Sequence, residues 1–142
     1  AFTGHEHHII YQALAPTVTY QVSRKKFLDF VQSSVDTLTP LFDMTLEMYR
    51  LHGERILNLE YRTVRERIIS FLLTMSQRFG KQTDDGLLIE VPLRHQDIAS
   101  SINATRETTS RELSALERKG LHDNKQSFTL LKDIEALKKH LA

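Results

Sequence analysis

Three charged residues, Arg106, Glu107 and Arg111, lie in one short segment of the second half of the chain. On a helix they share a polar face with Ser110. An arginine can donate two hydrogen bonds to O6 and N7 of guanine, and a glutamate can accept one from N4 of cytosine. An acid approaches polyanionic DNA at an electrostatic cost unless cations flank it, as the two arginines do. The alternative is a solvated surface on which Glu107 and Arg111, four residues apart, form an ion pair.

The surrounding segment predicts a helix-turn-helix that would position these side chains. Two helices are predicted at residues 95–102 and 105–119, with Thr105 as the N-cap of the second. Ala99 supplies the small side chain that a tight crossing of two helices requires. Asn103 follows in the turn, where the backbone must be left-handed and Asn is the best tolerated residue after Gly. The inner faces are assigned to Ile98, Ile102, Thr109, Leu113 and Leu116. This geometry favours DNA recognition, because such a second helix presents its first turns to the major groove.

The elements on either side complete a winged helix-turn-helix. Thr63 and Glu66 form a capping-box pair that opens a helix ending at Gly80, and its buried face is assigned to Val64, Ile68, Leu72, Met75 and Phe79. A polar turn is predicted at residues 81–86 and a strand at 87–92. Beyond the second helix, with Gly120 at its end, a β-hairpin is predicted with its turn at residues 123–126. A last helix starts near Asp133. The fold class is therefore mainly α with small β elements.

A long helix is predicted at residues 37–59. Apolar residues recur there with alternating spacings of four and three, which is typical of a coiled coil. We call this set the seam: Leu38, Phe42, Thr45, Tyr49, His52, Ile56 and Leu59. A second stripe comprises Leu41, Met44, Met48 and Leu51. Two apolar stripes favour a homodimer over the alternative of a helix buried in a monomeric core, and His52 is interpreted as a seam residue rather than a ligand.

The N-terminal segment predicts two short strands separated by Pro16, the second at residues 18–22. Ser23 then caps a short helix with Phe27, Phe30 and Val31 on one side. The histidines His5, His7 and His8 have a spacing that could bind a metal, but without a partner beyond Glu6 a solvated loop is favoured and no metal is assigned. Because the chain starts at Ala1 and enters a strand directly, we expect a fragment of a longer protein.

The composition narrows the function classes. The absence of cysteine excludes disulfides and cysteine-ligated clusters. No apolar run is long enough for a transmembrane helix, and the N-terminus lacks a signal peptide, so a cytoplasmic protein is expected. The net charge is −2 over residues 1–60 and +3 over residues 61–142, which makes the C-terminal part the better candidate for an anionic partner. No nucleophile–base pair or glycine-rich phosphate loop is present, so no enzyme is predicted.

Several segments resemble the Crp–Fnr family of bacterial transcription factors. TRETTSRELSALERKGL is similar to the family's recognition helix, and HQDIASSI to the helix that precedes it. VRERIISFLL resembles the helix before the DNA-binding domain, and VSRKKFLDFV the join between the sensor barrel and the dimer helix. The resemblance implies a transcription regulator that binds a palindromic promoter site as a homodimer, with GTGA in each half-site, and that responds to a signal sensed upstream. It also makes RNA polymerase a candidate partner. The implied domains are the end of an effector β-barrel at residues 1–36, a dimerisation helix at 37–60 and a winged helix-turn-helix at 61–142.

The resemblance also implies roles for individual residues. Arg106, Glu107 and Arg111 match base-reading positions, whereas Gln96, Thr105 and Thr108 match positions that hold phosphates. Two further candidates for phosphate binding are Arg94 and, on the wing, Lys125. Arg94 stands where the family usually has a capping threonine, and Thr109 where it usually has valine. The pairs that bind cyclic AMP in some members are replaced by His7-His8 and His52-Gly53, so cyclic AMP is not expected and the effector stays open. The alternative function is a winged helix used for protein–protein contact without DNA binding.

Overall fold

The chain is mainly α-helical with one small antiparallel sheet, as the sequence predicts. This computed structural model describes residues 13–125 and 128–141. The helices are α1 (Arg24–Ser33), α2 (Leu38–Tyr61), α3 (Val64–Phe79), α4 (His95–Ile102), α5 (Arg106–Arg118) and α6 (Ile134–Lys139), with a 3-10 turn at Val35–Thr37 before α2. The strands are β1 (Gly80–Thr83), β2 (Gly86–Ile89), β3 (His122–Lys125) and β4 (Phe128–Leu131). The chain forms two compact units, one up to Arg55 and one from Ile56 onward, so α2 contributes to both.

The second unit has a three-helix core closed by the sheet. Helices α3, α4 and α5 pack on one another, and the strands follow the order β1-β2-β4-β3 with antiparallel pairing throughout. The three helices, α6 and the sheet all contribute residues to one hydrophobic core. The core includes Ile68, Leu72, Ile89, Ile98, Ile102, Leu113, Leu116, Leu131 and Leu137. Full burial of each such side chain contributes roughly 1.5–3 kcal/mol. This core fixes α5 against the rest of the unit.

Helix α3 begins at the predicted capping box. The Glu66 carboxylate accepts from the Thr63 backbone N–H at 2.7 Å, and the Thr63 hydroxyl accepts from the Glu66 N–H at 3.4 Å. The predicted buried face is correct at Ile68 and Leu72 but wrong at Phe79, which is 45% exposed. Phe79 is the last helical residue, where the chain leaves the core to enter β1, and Ile69 is buried instead.

Gly80 is not the left-handed end of α3 that the sequence suggests. Its φ is −82°, an extended conformation that starts β1 directly. A β-carbon at this position would collide with the Ser76 carbonyl oxygen and press on Leu87. Glycine is therefore required by close approach of neighbouring atoms and not by a positive φ.

Two polar segments predicted as turns belong largely to strands, and in the first of them only residues 84 and 85 form the turn. Gly80–Thr83 pairs with β2 around a two-residue loop, in which Thr83 opposes Gly86 and Gly86 has a φ of +136°. The hairpin predicted beyond α5 is present, but residues 123–125 of its predicted turn belong to β3, and residue 126 lies outside the described residues. Both β1 and β3 are outer strands of the sheet. Their side chains can stay polar, so the apolar alternation that identifies a half-buried strand is absent.

In the first unit the helix predictions are confirmed and the strand prediction is wrong. The Ser23 hydroxyl accepts from Lys26 N–H at the start of α1, where Val31 is buried but Phe30 is exposed. Residues 18–22 form no strand, although Val18, Tyr20 and Val22 alternate as a strand would. No described strand pairs with this segment, so its backbone has no neighbouring strand with which to form sheet hydrogen bonds. The other predicted strand, before Pro16, falls mostly outside the described residues.

The capping box makes the stability of the second unit sensitive to pH. Hydrogen bonds from the Thr63 hydroxyl and backbone N–H lower the pKa of Glu66 below its ordinary value of 4.5. Since the folded pKa is the lower one, this stabilisation is complete above the unfolded value and is lost as the pH falls through the folded value. We expect Glu66→Gln to lower the free energy of unfolding by roughly 0.3–1 kcal/mol near neutral pH.

Urea unfolding of wild type and Glu66→Gln at neutral and acidic pH measures this effect. The difference between the two proteins should shrink as the carboxyl group becomes protonated. Glu60→Gln, at an exposed acid of α2, is the control and should show a smaller difference at neutral pH. An undiminished difference at acidic pH would contradict a role for the ionised carboxylate.

Candidate nucleic-acid interface

The turn between α4 and α5 has the geometry that Ala99 and Asn103 predict. Asn103 has φ 53° and ψ 59°, and it is the one non-glycine residue with a positive φ among those the structure describes. The Ala99 carbonyl accepts hydrogen bonds from the N–H groups of Asn103 and Ala104. Ala99 itself is completely buried, so a larger side chain there would push the two helices apart. The turn thereby sets the direction of α5.

Helix α5 buries one face and exposes the other. The Thr105 hydroxyl caps it by accepting from the Thr108 N–H at 3.1 Å, and Thr109, Leu113 and Leu116 are buried on its inner face as predicted. The predicted base-reading residues, Arg106, Glu107 and Arg111, are all exposed. Arg106 and Glu107 form no ion pair with any other residue that the structure describes. Their charged groups are consequently accessible to a partner.

Ser110 was predicted to lie on the exposed face of α5, but its side chain is partly buried. Its hydroxyl is hydrogen-bonded to Nδ1 of His95 at 2.7 Å, and both side chains are partly buried. This contact joins the first turn of α4 to the middle of α5. Sequence reasoning missed it because the two residues are fifteen positions apart and neither carries a local signal for the other.

A carboxylate beside the exposed face links α5 to α3. Glu112 Oε2 is 2.8 Å from Arg65 Nε, and Glu112 Oε1 is 3.9 Å from Arg111 Nε. These three residues help to line a cleft of about 330 Å³ together with Thr63, Val64 and Thr108. The predicted alternative, an ion pair between Glu107 and Arg111, is not formed. Arg111 contacts the neighbouring Glu112 instead.

The predicted phosphate-binding residues lie at the starts of α4 and α5 and in β3. Arg94 is an exposed N-cap whose backbone N–H donates to Asp97 Oδ2 at 3.0 Å. Asp97 places a negative charge in the first turn of α4, which offsets the unfavourable cation at this helix end. The Gln96 amide donates to the Ser100 hydroxyl at 3.2 Å, whereas Thr105 and Thr108 contact each other at 3.1 Å. Lys125 is the last residue of β3.

The hairpin formed by β3 and β4, the wing, is attached directly to α5. Gly120, with φ +71°, reverses the chain after α5, and the Leu121 N–H donates to the Leu116 carbonyl at 3.1 Å. His122 is 1% exposed and its Nε2 donates to the Leu113 carbonyl at 2.8 Å. On β3, the Lys132 ammonium at 3.0 Å and the Asn124 N–H lower the pKa of Asp123. The wing is therefore held at a fixed position beside the exposed face.

Helix α2 exposes most of its predicted seam. Leu38 is partly buried, and the other members are exposed, with Phe42 at 63%, Tyr49 at 80% and Ile56 at 62%. On another face of α2, Arg50 pairs with Glu47 at 2.7 Å and with Glu54, and these contacts raise the pKa of Arg50. Exposed aromatic and branched side chains in one row are typical of a surface that binds a partner. In the second stripe, Leu41 and Leu51 are partly buried and the two methionines are exposed.

Neither a metal site nor a membrane span is found in the described part of the chain. No three His, Cys, Asp or Glu side chains there are grouped so that they could hold a metal ion. The cluster of His5, His7 and His8 lies outside the described residues. None of the helices described combines the length and apolar character needed to cross a membrane.

Comparison with known proteins gives a consistent set of similarities. Residues 66–140 match the Crp-like helix-turn-helix domain. The chain is 34% identical over 100 residues to the global nitrogen regulator of Nostoc sp.. The matched region covers 65% of this chain and 45% of that relative. It is 30% identical over 140 residues to the nitrogen fixation regulation protein FixK of Azorhizobium caulinodans. That matched region covers 96% of this chain and 56% of the relative. The chain thus spans about half the length of these curated relatives.

A solved structure extends the similarity to the fold. FixK2 from Bradyrhizobium japonicum superimposes with a TM-score of 0.75 and 26% sequence identity, over 85% of this chain and 60% of that chain. The shared region therefore includes more than the segment from Glu66 to His140 that matches the domain family.

Thr109 provides a test of the packing behind the exposed face. Its side chain is completely buried, and its hydroxyl has no hydrogen-bond partner among the residues that the structure describes. Because an unpaired buried hydroxyl is unfavourable, we expect Thr109→Val to raise the free energy of unfolding by about 1 kcal/mol. Thr105→Val is the matched control, since it removes the N-cap of the same helix and should lower stability by roughly 1 kcal/mol. Thermal unfolding of both variants measures the effects, and a destabilised Thr109→Val would show that the hydroxyl has a partner after all.

Proposed function

The chain belongs to the Crp–Fnr family of helix-turn-helix regulators, and on this premise we propose that it is a sequence-specific DNA-binding transcription regulator. The observation that carries the proposal is the exposure of Arg106, Glu107 and Arg111 on the first turns of α5. The turn at Asn103 directs this face outward, and neither Arg106 nor Glu107 is paired with another described residue. The curated relatives are regulators of the same kind, one named for global nitrogen regulation and one for nitrogen fixation.

In the proposed complex, the first turns of α5 lie in the major groove. Arg106 and Arg111 donate to guanines and Glu107 accepts from a cytosine amino group, which matches a GTGA half-site. Arg94, Gln96, Thr105, Thr108 and Lys125 hold phosphates. The positive ends of α4 and α5 support those contacts, since helix N-termini present free N–H groups and a partial positive charge. The side chains thus divide into those that read bases and those that hold the backbone.

The proposed active form is a homodimer that pairs through the seam of α2. Pairing two copies places two α5 helices about one DNA turn, ~34 Å, apart on a palindromic site. In this arrangement residues 1–36 are the end of an effector domain, residues 37–60 the dimerisation helix and residues 61–142 the DNA-binding domain. The proposed location is the cytoplasm, where RNA polymerase is a candidate partner. The effector is unassigned, and cyclic AMP is not proposed.

A winged helix used for protein contact alone is not favoured. A surface of that kind would be expected to have a contiguous apolar patch, whereas the outward face of α5 presents Arg106, Glu107 and Arg111. The relatives are regulators with a DNA-binding motif, and no enzymatic function is proposed.

Selection of binding sites from random duplexes, performed with the dimeric protein, tests the proposal. We expect a palindrome with GTGA in each half. With Arg111→Ala, selectivity should decline at one guanine of each half-site, because a bidentate contact contributes about 1–3 kcal/mol of discrimination. Lys125→Ala should instead weaken binding to all sequences alike and reduce the salt dependence by about one counterion per half-site. If Arg111→Ala selects the wild-type motif unchanged, its assignment as a base-reading residue is wrong.

Charge placed in the seam tests the homodimer. We expect Tyr49→Glu to convert the protein to a monomer in sedimentation equilibrium, because two like charges would face each other in an apolar interface. Binding to a palindrome should then fall to the affinity for a single half-site. Leu57→Glu is the matched control: it is also an exposed apolar residue of α2 but lies outside the seam, and it should stay dimeric. A dimeric Tyr49→Glu would exclude the seam as the interface.

A further inference from the structure

Glu112 lies beside the exposed face of α5 and contacts two arginines. It is the carboxylate between Arg111 and Arg65, and its side chain is 18% exposed while that of Arg111 is 72% exposed. Neither the base-reading nor the phosphate-binding residues of the proposed function include it. We propose that Glu112 is a positioning residue that orients the Arg111 guanidinium before DNA is bound. The proposal rests on the proposed function, since it concerns how Arg111 reads its base.

The contact between Arg111 and Glu112 requires the arginine to bend. Neighbouring residues of a helix project in directions about 100° apart, so their side chains do not ordinarily meet. A separation of 3.9 Å between Arg111 Nε and Glu112 Oε1 therefore means that the Arg111 side chain lies across the surface toward α3. Its preferred direction is set by the carboxylate and not by the helix alone.

Arg65 keeps the carboxylate itself in place. Its Nε is 2.8 Å from Glu112 Oε2, a charge-assisted hydrogen bond between the first turn of α3 and the middle of α5. Both partners are more buried than Arg111, so this contact is less screened by water than a surface ion pair. One oxygen of Glu112 is thus fixed by α3 and the other remains for Arg111.

The atoms involved leave the recognition chemistry of Arg111 intact. Glu112 faces Nε, so the two terminal nitrogens of the guanidinium stay available for the O6 and N7 of a guanine. A side chain that is oriented in advance loses less rotamer freedom on binding. Arg106 has no such carboxylate among the described residues. The structure therefore assigns stricter readout to the base pair that Arg111 contacts than to the one that Arg106 contacts.

Removing the charge of Glu112 distinguishes positioning of Arg111 from a general effect of charge on DNA affinity. Loss of positioning changes selectivity at one base pair, whereas loss of a charge changes the affinity for all duplexes. The base pair read by Arg111 is first identified as the one at which Arg111→Ala loses selectivity. Binding of full-length dimers is then measured with the selected duplex and with duplexes substituted at each base pair. We expect Glu112→Gln to reduce discrimination at that base pair by about 3- to 10-fold, a part of what a bidentate arginine supplies, and to leave the other base pairs unchanged. Glu117→Gln, at an exposed acid of the same helix, is the matched control and should shift the affinity for all duplexes equally.

Two substitutions of Arg65, the partner that fixes Glu112, test the same positioning role. Arg65→Met should reproduce the selective loss seen for Glu112→Gln, because the carboxylate is then no longer fixed, whereas Arg65→Lys should retain most of the discrimination. If Glu112→Gln discriminates like wild type, or loses discrimination equally at every base pair, the positioning role is wrong. If thermal unfolding shows that Glu112→Gln is poorly folded, the pair at Arg65 decides, and equal discrimination by its Met and Lys variants overturns the proposal. A wild-type protein without any sequence preference would instead contradict the proposed function.

Discussion

The close crossing of α4 and α5 at Ala99 is the constraint on which the rest of the second unit depends. A completely buried methyl group allows the helices to approach, and Asn103 reverses the backbone in a left-handed conformation that few residues adopt at low cost. Once that angle is set, the inner face of α5 must pack on α3 and α4, and its opposite face must point to solvent. The face of α5 on which each charged residue lies follows from this geometry.

Polar contacts then hold α5 from three directions. His95 and Ser110 link it to α4, Arg65 and Glu112 link it to α3, and His122 links it to the wing. Each contact includes at least one partly or fully buried group, which loses a hydrogen-bond partner when the other member is removed. The apolar core supplies most of the stability, whereas these contacts fix the rotation and tilt of α5.

Much of this could be predicted from the sequence, because the signals are local. The cap residues Ser23, Thr63 and Thr105 bond to groups within three positions of themselves, and the turn at Asn103 depends on the conformation of one residue. The helix periods of α2 and α3 likewise appear in the order of the residues. Strand β1 and most of β3 were not predicted, because a polar edge strand is identified by its neighbour and not by its own side chains.

The sequence by itself determined the helices, the N-caps at Ser23, Thr63 and Thr105, the left-handed turn and the identity of the charged residues on α5, since each depends on neighbours along the chain. Only the tertiary structure decided that Ser110 faces α4 and that Arg111 contacts Glu112 and not Glu107. It also decided that Val18, Tyr20 and Val22 join none of the strands that the structure describes. Arg65 and Glu112 are separated by 47 positions, and such a contact exists only after α3 and α5 have packed. Side-chain partners of this kind depend on distances that the packing of elements creates, and no local pattern encodes them.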